Sequence, residues 1–467
     1  MQMTLLRHKP AETLFVVDAM TGETKGTAMK FASKTVCLLF SCVLSAFTLP
    51  ALAIEVAGYR FPIEDPYDAT VLGTPKELSA NAPEHIPSKV YTIKSIDPLP
   101  DLFWYEDGLK FSAALQDHPA PLVFNIAGTG AAYNASKIIT MQRELYHAGF
   151  HVINISSPTA LNFLLTGSTG HMPGYAPDDA QDLYRAMQQA YGMVKKDIQV
   201  TAFHVAGYSL GALHAAFVAD IDQREKKFNL QKVFMINPPV SLYNSAIILD
   251  KLVNDNIPKV NGIPVAGRLL DEVIDALAQA YEPDQGMEFD NDFIYTAYGK
   301  KVADGTLNGK RTSAALIGLS FRLTSGAMVF ASDVMNKTGY FIPKDKVFAP
   351  NDSLIPYIRP STLITFQEYI DKMLMPRLQQ KYPDKNRESI LQDASLHAIE
   401  GFLKSNPNIR VVVNRDEIIL APGELGYLEG IMGNRITVYP LGGHLGNISH
   451  MTNVANMVSF LSGVDAP

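Results

Sequence analysis

The residues whose types and spacing could do chemistry begin with a serine between two close glycines, Gly207-Tyr208-Ser209-Leu210-Gly211. The pentapeptide directly follows the apolar run Val200 to Ala206 and precedes the helical run Ala212 to Ala219. Alone, such a pattern is common. Between a strand and a helix it describes a sharp turn whose glycines let the backbone crowd past a strained serine. The hydroxyl is then exposed above a sheet edge, at a helix N-terminus where dipole and free amides favour developing negative charge. The bland alternative is a serine that caps a helix after a glycine turn.

A serine hydroxyl is a weak nucleophile at neutral pH, so it needs a base to take its proton and a carboxylate to orient that base. Both occur downstream in the required chain order. The strand Ile409 to Val413 is followed by Asn414-Arg415-Asp416-Glu417, and the strand Ile436 to Tyr439 by Pro440-Leu441-Gly442-Gly443-His444. Two strand exits thus deliver a carboxylate and an imidazole to the sheet edge that carries Ser209. His444 is the expected base, its glycine pair allowing close approach, and His450 the competing one. Asp416 is the expected acid, with its neighbour Glu417 second and Glu424 third. Two backbone amides could hold an oxyanion: that of Leu210, next to the nucleophile, and that of Thr129 in the loop Ala127-Gly128-Thr129-Gly130. An ordinary glycine turn is the alternative for that loop.

The elements that must position these groups read as short β-branched and aromatic strands alternating with helices, the pattern of a mostly parallel sheet with crossover helices. Strands are expected at Leu122 to Ala127, Val152 to Ile155, Gln199 to Ala206, Val233 to Ile236, Arg410 to Val413 and Ile436 to Tyr439. Helices are expected at Ala135 to Ala148, Asp178 to Lys195, Ser209 to Asp220 and from about Leu445 to Leu461. Residues 54–99 read as an extended lead-in with edge strands, for example Lys89 to Ile93, and without evident chemistry. The core then divides into residues 100–239 and 409–467. Between them, residues 240–408 are far longer than an ordinary connection and read as a helical lid, with helices at Val265 to Tyr281, Leu363 to Gln379 and Ser389 to Leu403. Thr312 to Met335 is nearly uncharged and suits a buried helix pair, part of which could line an apolar acyl pocket.

At the N-terminus, Met29-Lys30 and Lys34 precede an apolar run from Thr35 to Leu49, then Pro50 and Ala51-Leu52-Ala53. Residues 29–53 therefore read as a cleavable export signal, too short for a spanning helix. Residues 1–28 read as an early start codon or an extended n-region. Both cysteines, Cys37 and Cys42, fall inside the signal, so the processed chain is expected to be a thiol-free, released protein of the periplasm or exterior. Formal net charge is −7, with 40 Lys+Arg against 47 Asp+Glu. That balance argues against nucleic acid as a partner. His147, His151, His171, His204 and His214 show no metal-ligand spacing, and no metal is expected. Asp178, Asp179 and Asp182 suit a helix start. Gly128-Thr129-Gly130 lacks the lysine of a phosphate cradle.

The elbow Gly207 to Gly211, the loop Gly128-Thr129, Asp416 and His444 together resemble the α/β-hydrolase superfamily, on its lipase and esterase side. The resemblance runs from about Lys89 to the C-terminus, with the lid unmatched. It implies the α/β-hydrolase fold, helices on both sheet faces, a serine hydrolase that uses no cofactor, and a small-molecule or lipid-like acyl substrate. One departure is that Ala127-Gly128 stands where the family often has His-Gly, which keeps the donor but alters the packing behind it. A peptidase or a non-catalytic binding protein on the same scaffold are the other readings, and oligomeric state is open. N-terminal sequencing of the exported protein is expected to return Ile54 as its first residue; an N-terminus upstream of Thr35 would refute the signal.

Overall fold

In the computed structural model the described residues are 54–55, 58–256, 259–260, 263–264, 310–349 and 352–464. The expected helix Val265 to Tyr281 and the export segment lie outside them. Nine strands form one sheet: β1 (Ile54–Glu55), β2 (Ser88–Lys94), β3 (Gly108–Ala114), β4 (Ala120–Ile126), β5 (His151–Ile155), β6 (Val200–Tyr208), β7 (Lys232–Ile236), β10 (Ile409–Asn414) and β11 (Ile436–Tyr439). A two-strand hairpin, β8 (Lys259–Val260) with β9 (Ile263–Pro264), stands apart. The sheet order is β1-β11-β10-β7-β6-β4-β5-β3-β2. Only β3 runs against the others, pairing antiparallel with both β2 and β5. The six strands expected from sequence are present. β1 and β3 are additional.

Alternating side chains of the buried strands reach both sheet faces, as a sheet covered by helices requires. From β4, Leu122, Phe124 and Ile126 enter one core with Phe163 of α3 (Leu161–Thr166), Leu183 of α4 (Ala176–Val194) and Leu213 of α5 (Leu210–Glu225). Val123 enters the other, with Ile138 of α2 (Ser136–His147) and Met457 of the final helix, Met451–Ser462. Each fully buried aliphatic or aromatic side chain of this kind contributes roughly 1.5–3 kcal/mol.

The sheet order explains where a site can form. From β4 the chain proceeds to β5 on one side, then crosses back to β6 on the other, so the carboxyl ends of β4 and β6 flank a reversal of strand order. A crevice opens at such a point. The loop after β4 and the turn after β6 therefore share it.

Between β7 and β10 the described part of the inserted span is mostly helical apart from the β8–β9 hairpin, with departures from the sequence expectation. α6 (Leu242–Asn256) packs on α7 (Lys310–Asn336). The expected helix pair over Thr312 to Met335 is one continuous helix. Its glycines serve close packing instead of a turn: a Cβ on Gly318 would lie 2.7 Å from the Val253 nitrogen, and one on Gly326 2.9 Å from Thr362 Cα. This is the one described helix long and apolar enough to cross a membrane, and 83% of its apolar window is buried within the fold. The expected helix Leu363 to Gln379 starts at Phe366 and passes through a π turn, Ile370–Leu374, just before Pro376, a residue that cannot donate to the preceding turn. The span Ser389 to Leu403 holds Arg387–Asp393, a short 3₁₀ turn and Glu400–Ser405. The final helix begins at Met451, later than expected, because residues 443–449 form turns, with Leu445 at φ 66°, and His450 caps the helix.

One of the close backbone approaches in the core is between α5 and β4. A Cβ on Gly211 would sit 2.2 Å from the Ile126 carbonyl oxygen and 2.5 Å from that of Ala127. Both obstacles are backbone and cannot rotate away. Gly211→Ala is expected to cost about 2–3 kcal/mol of stability, read as a lowered urea midpoint; an unchanged midpoint would refute this packing.

Candidate active site

Ser209 occupies the turn between β6 and α5 with φ 53° and ψ −127°, a region that costs a non-glycine residue about 1–3 kcal/mol. The surrounding structure enforces it. A Cβ on Gly207 would meet the Gly211 carbonyl oxygen at 2.2 Å, the Ser209 amide donates to the Ile236 carbonyl at 2.8 Å, and its own carbonyl receives the Ala212 amide at 2.9 Å. The side chain is thus held at the carboxyl edge of the sheet.

His444 Nε2 lies 2.9 Å from Ser209 Oγ, and its Nδ1 lies 2.9 Å from Glu417 Oε1. A carboxylate can only accept, so the ring proton sits on Nδ1 and Nε2 is left as acceptor for the serine hydroxyl. Glu417 is almost fully enclosed, its side chain 1% exposed. Its Oε1 also receives the Ile419 amide at 3.2 Å, and Oε2 receives the Asn237 side-chain amide. Asn237 itself stands at φ 47° just after β7.

Asp416, the carboxylate expected at this position, faces elsewhere. Its oxygens accept the amides of Gly442 at 3.1 Å and Gly443 at 3.0 Å, so it holds the histidine loop by its backbone while Glu417 holds the ring. Burial pushes the Asp416 carboxyl above the usual range, and the two amides partly offset this. Glu424 starts the helix Glu424–Met432 and accepts from Asn244 and Ala421. His450 caps the final helix, its Nδ1 accepting the Thr452 amide and its Nε2 lying 3.0 Å from the Arg60 carbonyl.

The lead-in, expected to carry no chemistry, braces this loop through α1 (Pro66–Leu72). The His444 amide donates to Thr70 Oγ1 at 2.8 Å, and that hydroxyl donates to the Pro66 carbonyl at 2.6 Å. Gly443, at φ 54°, leaves no room for a side chain: a Cβ would lie 2.1 Å from the Pro66 oxygen. Asn414 Nδ2 donates to the Gly443 carbonyl at 2.7 Å and pairs with Asn447. No local sequence pattern announces these ties.

Across the crevice, Gly128 sits against Ser209; a Cβ there would be 3.2 Å from Ser209 Cβ. The loop is pinned by Ala131 N donating to the Gly128 carbonyl at 3.0 Å and by Gly130 N donating to Thr159 Oγ1 at 2.8 Å. Between those bonds, the Thr129 amide has no acceptor among the described residues, and neither has that of Leu210. Thr129, Leu210 and Ser209 line one cleft, with Thr159 and Gly174 beside them and Leu242, Ala246, Leu249, Phe321 and Phe366 of the lid facing them. No ionisable side chain lines it among the described residues. A hydroxyl bonded to an imidazole has the geometry to attack a carbonyl, and two unengaged amides beside it have the geometry to hold the resulting oxyanion.

The strand order and the strained serine turn decide the architecture. This is an α/β-hydrolase fold. No protein-family profile and no curated protein matches the chain. Solved structures resemble it at low identity. Fungal esterases from Rhizomucor miehei share 14% identity over 81% of this chain and 84% of theirs, with a TM-score of 0.38. A hyperthermophilic esterase from the archaeon Pyrobaculum calidifontis shares 15% over 82% and 84%, at 0.37. The thioesterase domain from the curacin biosynthetic pathway shares 13% over 76% and 95%, at 0.34.

Within the hydrolase fold, five further histidines stand outside the Ser209–His444–Glu417 line. His151 Nδ1 accepts the Gln116 amide, His147 closes α2, His171 Nδ1 lies 2.7 Å from the Leu164 carbonyl, and burial pushes His204 down to about 4. Among the described residues no group of three or more His, Cys, Asp or Glu could hold a metal ion. His214 is fully buried in α5, its Nε2 3.7 Å from Asp179 Oδ2. Asp178 takes Lys381 and Tyr382, and Asp182 takes Thr169 and Arg185. Asp179 receives the Gly174 amide at 2.8 Å and so fixes one cleft wall.

Burial holds the Asp179 carboxyl above its ordinary value, with His214 and the Gly174 amide partly offsetting it. In the unfolded chain the group titrates near 3.8, so between that pH and the raised folded value the folded protein holds the extra proton. This residue's favourable contribution is therefore present below 3.8 and lost as pH rises through the folded value. In Asp179→Asn, urea unfolding from pH 4 to pH 7 should lose stability less steeply than wild type; parallel curves would refute the assignment.

Proposed function

We propose that this chain is an exported serine hydrolase that cleaves carboxylic esters with apolar acyl groups through an acyl-enzyme on Ser209. The observation that carries the reading is the unbroken line from Ser209 Oγ through the His444 ring to the enclosed Glu417 carboxylate. In this mechanism Nε2 takes the serine proton as Oγ attacks the ester carbonyl. The amides of Leu210 and Thr129 hold the oxyanion. The imidazolium, stabilised by Glu417, then protonates the departing alkoxide. Water enters, gives its proton to Nε2, and attacks the acyl-enzyme; collapse of the second oxyanion releases the acid and returns the proton to Ser209. A cleft without ionisable lining among the described residues suits an ester with an apolar acyl group better than a charged peptide terminus.

Export is proposed from the basic n-region, apolar run and small-x-small end of residues 29–53. The first strand of the sheet begins at Ile54, so cleavage before it leaves the sheet whole.

Fluorophosphonate labelling combined with hydrolysis of p-nitrophenyl esters tests the reading. Ser209→Ala and His444→Ala should abolish both. Glu417→Gln should lower kcat by about 10³–10⁴-fold, as loss of the orienting carboxylate does elsewhere, whereas Asp416→Asn should cost less than about tenfold. A larger loss in Asp416→Asn would reverse the acid assignment. A folded wild type that neither labels nor hydrolyses would favour a binding protein.

A further inference from the structure

Three lid segments meet at one buried carboxylate. Asp250 of α6 is 6% exposed. Its Oδ1 accepts from Arg322 Nη2 of α7 at 3.3 Å and from the Phe366 amide at 3.2 Å, and its Oδ2 accepts the Gln367 amide at 3.1 Å. The same guanidinium nitrogen reaches the Asp250 carbonyl at 3.4 Å. Each partner sits beside, or is, a residue that lines the cleft over Ser209: Leu249 precedes Asp250, Phe321 precedes Arg322, and Phe366 is bonded directly. The two phenyl rings lie 5.6 Å apart at 41°. The approach of Gly318 to the Val253 backbone, described above, packs α6 and α7 in close contact beside this carboxylate.

We propose that Asp250 and Arg322 are positioning residues that lock Leu249, Phe321 and Phe366 into one acyl-binding wall, and that the two phenyl rings set the acyl chain length accepted. The proposal rests on the serine-hydrolase reading and names the substrate side of that site. A buried ion pair is a weak source of stability compared with apolar packing of the same volume. What it supplies here is geometry: one side chain fixes the mutual position of three segments. The wall is apolar and faces the loop whose amides would hold the carbonyl oxygen, so an aliphatic acyl chain leads from the carbonyl onto Phe321 and Phe366. Their rings limit its length by occupying the space it would extend into.

The experiment measures kcat/KM for p-nitrophenyl acetate, butyrate and octanoate on full-length processed protein, normalised to sites labelled by the fluorophosphonate probe. Phe321→Ala should raise the octanoate-to-butyrate ratio by at least about tenfold, within the range that pocket size commands. Arg322→Met and Asp250→Asn should move the ratio in the same direction by releasing the wall. A merely structural role would lower the labelled fraction without moving the ratio. A ratio within twofold of wild type in both Phe321→Ala and Arg322→Met, on labelled protein, overturns the proposal even if Asp250→Asn fails to fold. A wild type that neither labels nor hydrolyses overturns the hydrolase reading and this proposal with it.

Discussion

A serine at φ 53° persists only where neighbouring backbone leaves it no alternative. Here that confinement comes from two glycines without which α5 could not lie so close to β4 and β6, with clearances of 2.2 Å for a hypothetical Cβ at both Gly207 and Gly211. The close approach has two effects at once. It aims the Ser209 side chain out of the sheet, and it brings the first amide of α5 beside the loop after β4. Serine hydroxyl and amide pair thus share one origin, the crossing of a helix and a strand at the point where strand order reverses. Strain at the serine is offset by a packed core on both sheet faces, most of it remote from the site.

The histidine is placed by a different device, with labour divided between adjacent carboxylates. Asp416 grips the loop backbone at Gly442 and Gly443, while Glu417 grips the ring. Were one residue to do both, any shift in the loop would also turn the imidazole. Separate anchors make ring orientation depend on Glu417 and Asn237, which lie in the short exits from β10 and β7, neighbours in the sheet. A site held close to buried strands is more rigid than one resting on long loops.

Much of this was legible before any coordinates. The strands of the central sheet announced themselves as β-branched runs, and the elbow by its glycines between a strand and a helix. His444 was marked by a glycine pair at a strand exit. The choice between Asp416 and Glu417 was not legible, because successive residues leaving a strand face opposite ways and the turn after Asn414 sets which one points to the ring. Nor was the role of α1, since a hydrogen bond between Thr70 and His444 leaves no periodic trace. The continuous helix at Lys310–Asn336 was hidden because its glycines read as breaks, whereas they serve helix crossings.

The bond from His444 to Thr70 spans 374 residues and ties the histidine loop to the first helix described. Contacts so distant in sequence form late, after the loop between them has been closed. During synthesis the ribosome delivers Ser209 long before β10 and β11, so a growing chain carries the hydroxyl without its imidazole or carboxylate. On the serine-hydrolase reading, the hydroxyl gains its base only once β10 and β11 lie beside β7 and α1 closes on the loop. On that same reading the chain is chemically silent for most of its own assembly.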